Sequence, residues 1–97
     1  MRLAEFYQAD SVAISLELFP PKTDPGMKEL ESNVAELVSF GPGYITCTYG
    51  AGGSTREKTL DIVEWARNQY SLPVAAHLTC VGATVDQLRE YLRDAMA

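Results

Sequence analysis

The feature that most constrains this chain is an alternation of short β-rich runs with amphipathic helical stretches, recurring about every 30 residues. A first strand is predicted over residues 12–19 and is stopped by Pro20-Pro21, because proline supplies no ladder donor and restricts the residue before it. Asp24 followed by Pro25 reads as a helix cap with proline at the first helical position. Leu30, Val34, Leu37 and Val38 then recur at helical spacing, and Phe40-Gly41-Pro42-Gly43 ends that helix. The N-terminal segment before the first strand has room for a helical turn or two.

A second strand is expected over residues 44–49, followed by Gly50-Ala51-Gly52-Gly53. Ser54 and Glu57 have the spacing of a capping box, opening a helix to about residue 70 with Leu60, Val63 and Ala66 on its buried side. A third strand is expected over residues 74–80. After the turn at Gly82, Thr84 and Gln87 repeat the capping-box pattern, and Leu88, Tyr91, Leu92 and Met96 form the last apolar stripe. Strands that alternate with helices through short loops predict an α/β fold of parallel strands joined by right-handed crossovers. The 97 residues hold one domain, with no linker, low-complexity tract or second domain.

Side chains alternate faces along a strand, so parity sorts each one. Ser15, Glu17 and Phe19 oppose Ile14, Leu16 and Leu18. Tyr44, Thr46 and Thr48 oppose Ile45, Cys47 and Tyr49, and Ala75, His77 and Thr79 oppose Val74, Ala76, Leu78 and Cys80. Each strand has one oily face and one carrying polar groups. An open sheet covered by helices on both sides would be oily on both, so the pattern favours a closed barrel whose interior meets a ligand. Glu17, Thr48 and His77 fall toward the C-terminal ends of successive strands, where barrels and open α/β sheets bind their ligands.

These residues read in more than one way. Glu17, between Leu16 and Leu18, is either a partly desolvated proton donor or a carboxylate on a wet strand face or in an ion pair. His77 suits a ligand hydrogen bond or proton shuttle, but equally a satisfied core histidine; as the single histidine, without neighbouring ligand spacing, it points to no metal site. The glycine-rich stretch is either an anion-holding loop or a tight turn. It matches neither the P-loop nor the dinucleotide fingerprint. Trp65, Tyr70 and Tyr91 lie at helical spacings typical of core or interface. Cys47 and Cys80 are expected to be reduced core thiols, because neither has a disulfide or metal-finger spacing. The formal net charge of −5, without a Lys/Arg cluster, argues against nucleic acid and anionic membranes as partners. No secretory signal or bilayer-length apolar run is visible, so the expected compartment is the cytoplasm.

Three stretches together resemble the methylenetetrahydrofolate reductase family: Ser15-Leu16-Glu17-Leu18-Phe19-Pro20-Pro21-Lys22-Thr23, Thr46-Cys47-Thr48-Tyr49-Gly50-Ala51-Gly52-Gly53-Ser54-Thr55 and His77-Leu78-Thr79-Cys80. They occur in the family's order and at its spacing. The resemblance implies the first three βα units of a (β/α)8 TIM barrel, with FAD at the C-terminal strand ends and NADH or NADPH as reductant. It implies reduction of 5,10-methylenetetrahydrofolate to 5-methyltetrahydrofolate, in one-carbon and methionine metabolism, by a homo-oligomer. By match, Glu17 is the general acid, and Thr48 and His77 contact the flavin. Family barrels continue beyond this length, since eight units need ~250 residues. The alternative is an incomplete piece of that enzyme that only packs or oligomerises.

Overall fold

The computed structural model describes residues 2–49 and 56–97. A 3-10 turn, Leu3–Phe6, leads into β1 (Ser15–Leu18), α1 (Asp24–Val38), β2 (Tyr44–Cys47), α2 (Arg56–Tyr70), β3 (Val74–Ala76) and α3 (Val85–Met96). The strands form one parallel sheet in the order β1-β2-β3, with Leu16 beside Ile45 and Ile45 beside Val74. This is the expected α/β arrangement. No helix among the described residues is long and apolar enough to cross a membrane.

The strands are shorter than their β-rich runs. Val12 is 89% exposed and unpaired in the sheet, so β-propensity at the start of the first run finds no partner there. Hydrogen bonds nevertheless carry the pairing a residue past the assigned ends. Gly43 donates to the Ile14 carbonyl at 2.8 Å, Thr48 to that of Leu18 at 2.9 Å, and His77 to that of Cys47 at 2.9 Å. Thr48 and His77 are therefore fixed by the sheet.

The cap of α1 lies one residue before the expected Asp24. Thr23 is extended and its hydroxyl accepts from Gly26 N at 3.1 Å, which places Pro25 within the first turn. A Cβ on Gly26 would lie 2.9 Å from Pro21 Cβ, so the diproline packs directly on the helix start. At the other end Gly41 takes φ +72°, a left-handed conformation that stops the chain from continuing as helix. The capping box of α3 forms as expected, with Thr84 and Gln87 bonding reciprocally at 3.2 and 2.9 Å. Ser54 of the other expected capping box lies outside the described residues, as does Gly50-Ala51-Gly52-Gly53.

The core lies between the sheet and the helices. Leu18, Val34, Ile45, Cys47, Ile62, Val63 and Ala66 are buried together, with Leu16, Val74 and Ala76 packed against them. Tyr49 meets Tyr91 of α3 edge to face at 5.7 Å, and Trp65 meets Tyr70 in the same manner. The helices thus share one side of the sheet. Some expected core positions stay open. Leu37 is 41% exposed and Met96 86%, because the helix stripes are wider than the three-stranded sheet beneath them. Cys80 is exposed, contrary to expectation, since it lies beyond the end of β3.

Cys47 is the buried thiol, and burial pushes its pKa from 9.0 to about 11. The unfolded chain therefore releases this proton first, so stability falls as pH rises through that window. In urea unfolding, Cys47→Ala should show a smaller loss of stability across the same pH interval than the wild type. Ile45 is fully buried at the centre of the sheet, and Ile45→Ala should cost about 2–5 kcal/mol in urea unfolding, as an incompletely refilled core cavity does.

Candidate functional site

The face of the sheet turned away from the helices carries the polar side chains. Glu17 stands beside Thr46 in the ladder, and Thr46 beside Ala75. Their short side chains leave room above β2 for the longer ones on either side. Across that space His77 Nε2 lies 3.7 Å from Glu17 Oε1. Residues from β1 and from the end of β3, 60 positions apart in sequence, thus meet at the C-terminal end of the sheet.

The contact is too long for a hydrogen bond and acts as an ion pair when the imidazole is protonated. Both partners stay open to water, with side-chain exposures of 46% for His77 and 51% for Glu17. Of the two readings of Glu17, the structure matches the carboxylate on a wet strand face beside an ion-pair partner, and the flanking leucines do not desolvate it. Leu16 and Leu18 point to the opposite face and pack on the helices.

Thr48 is half-buried at the same end of β2. Its carbonyl accepts a 2.9 Å hydrogen bond from Thr59 Oγ1, and a longer contact from Cys47 Sγ at 3.7 Å. Thr59 is fully buried on α2, and the preceding Lys58 donates from Nζ to the Pro21 carbonyl at 3.1 Å. The loop after β1 and the end of β2 are thus both tied to the start of α2. Sequence reading passed over Thr59, although its spacing from Ile62, Val63 and Ala66 puts it on the buried side of the helix. Two residues beyond His77, Thr79 Oγ1 is buried without a hydrogen-bond partner among the described residues.

The arrangement brings together an acid, an imidazole and a strand-end threonine on one open face. It can offer a proton, a donor or acceptor nitrogen and a hydroxyl to a ligand lying over Thr46 and Ala75. No cluster of three potential metal ligands occurs among the described residues. A groove of about 470 Å³ between α2 and α3 lies on the other side of the sheet, and Asp61, Glu64, Glu90 and Asp94 line it. It shares no residue with the three-strand rim. Convergent chemistry, rather than size, makes the rim the candidate site.

A family model described as methylenetetrahydrofolate reductase matches residues 2–97. A methylenetetrahydrofolate reductase (NADH) 1 from Arabidopsis thaliana is 40% identical over 76 residues, which is 78% of this chain and 13% of that protein. The 5,10-methylenetetrahydrofolate reductase of Escherichia coli is 36% identical over 83 residues, or 86% of this chain and 28% of that protein. A relative from Buchnera aphidicola is 38% identical over 81 residues and is likewise covered to 28%. The chain therefore spans well under a third of the curated relatives it matches.

Because the Glu17–His77 pair is half-exposed, it contributes little to folding. Glu17→Gln and His77→Gln should each change the stability read in urea unfolding by less than about 1 kcal/mol. A larger loss would mark the pair as structural.

Proposed function

The chain belongs to the methylenetetrahydrofolate reductase family, and from that premise we propose that its three βα units open a (β/α)8 barrel reducing 5,10-methylenetetrahydrofolate to 5-methyltetrahydrofolate. The observation that supports this most directly is the convergence of Glu17 and His77 across β2, on the face free of helices. Side chains in those positions serve a ligand rather than a core.

In this reading Glu17 is the general acid. It gives a proton to a nitrogen of the folate's bridging ring, which opens that ring to an iminium able to accept hydride. Its carboxyl faces water on the side from which a folate would approach. Thr48 and His77 hold FAD, and NADH or NADPH is the reductant. The residues fit a polar planar group: Thr46 and Ala75 give a low wall, His77 stands at its edge, and the buried Thr79 hydroxyl has no partner among the described residues. When bound, the flavin supplies two-electron hydride transfer. The chain's own residues would orient it and supply the proton from Glu17.

A graft tests the proposal. Residues 1–97 replace the matching segment of the Escherichia coli reductase, and the purified protein is assayed for bound FAD and for both half-reactions. The graft should retain FAD and reduce the folate. Glu17→Gln should lower folate turnover by roughly 10²–10⁴-fold while flavin reduction by NADH persists. Normal folate turnover in that variant would remove Glu17 from its role. A graft that folds but retains no flavin would favour a segment that only packs or oligomerises.

A further inference from the structure

We propose that Thr59, with Lys58 beside it, is a positioning residue that clasps the ligand-facing rim from behind. The inference rests on the functional reading of that rim, but its geometry stands independently. Thr59 is fully buried, and its hydroxyl reaches the Thr48 carbonyl at 2.9 Å, closing an interval of eleven residues between the end of β2 and α2. Thr48 N is already committed to Leu18 O, so both sides of this residue's backbone are held, one by β1 and the other by α2. Lys58 reaches across 37 positions to Pro21 O in the loop that follows Glu17. One dipeptide at the start of α2 therefore bonds to the segments following two of the three rim-bearing strands. A threonine needed only for volume would be replaceable by valine, which has the same shape. A clasp needs the hydroxyl, because the Cys47 thiol at 3.7 Å is a poor substitute donor.

The test compares Thr59→Val, Thr59→Ser and Lys58→Gln in the 97-residue chain by limited trypsin digestion. The rate of cutting after Arg56, at the start of α2, is followed beside the rates at Lys22, Lys28 and Arg89. Thr59→Val should speed cutting at Arg56 roughly tenfold, with little change at the other sites, because losing one buried donor favours local opening. Thr59→Ser, which keeps the donor, should cut like the wild type, and Lys58→Gln should show a smaller rise at Arg56. Equal rates in wild type and Thr59→Val, or a Ser variant as labile as the Val variant, would overturn the clasp. If circular dichroism shows Thr59→Val unfolded, wild-type behaviour of Thr59→Ser with a local rise in Lys58→Gln supports the proposal, and any other pair of results overturns it. In the graft described above, Thr59→Val should weaken FAD retention, and Thr59→Ser should restore it. A graft that never reduces folate would count against the functional reading, and the digestion would still decide the clasp.

Discussion

Everything else in this molecule depends on the register of its parallel ladder. Ser15 to Leu18 lie beside Tyr44 to Cys47, and Ile45 to Cys47 beside Val74 to Ala76. That alignment turns Leu18, Ile45 and Cys47 toward the helices and Glu17, Thr46 and Ala75 the other way. A slip of one residue in β1 would exchange Leu18 for Glu17 in the core, at the cost of an unpaired buried carboxylate. The apolar packing that stabilises the sheet and the polar grouping on its other face are therefore two results of one pairing.

The same constraint explains how a core of limited size holds an exposed site in place. Glu17 and His77 belong to segments locked by hydrogen bonds between strands, so their mutual approach does not depend on their own weak attraction. Behind them, the buried side chains of Ile62, Val63 and Ala66 press α2 on the sheet and carry Thr59 to the Thr48 carbonyl. Packing supplies the stability, and the polar groups supply the orientation. The division follows from the weakness of half-hydrated ion pairs compared with buried aliphatic surface.

Much of this was legible in the residues themselves. Alternation of β-rich and helical runs indicated the order of elements, and parity within each run indicated which face carried Glu17, Thr48 and His77. The capping box at Thr84 was readable because it is a local exchange of two hydrogen bonds. What could not be read depends on contacts distant in sequence. Strand lengths follow from what lies alongside, so Val12 has β-propensity but no partner. The hydration of Glu17 depends on how the rest of its face is covered, which its neighbours Leu16 and Leu18 do not determine. Thr59 drew no reading at all, because its value lies in a carbonyl eleven residues away. Cys80 looked like core because the β-rich run continues beyond the last strand pair.

The turn Leu3–Phe6 has a consequence at the opposite pole of the sheet. Phe6 packs at a tilt against Tyr44 with ring centroids 5.1 Å apart, Tyr7 and Tyr44 join hydroxyls, and a Cβ on Gly43 would lie 3.2 Å from the Phe6 ring. These aromatic rings crowd the N-terminal ends of the strands, opposite the end where Glu17 and His77 stand. The polar face is thereby unequal along its length: bulky rings fill one end, and the other is left to a carboxylate and an imidazole.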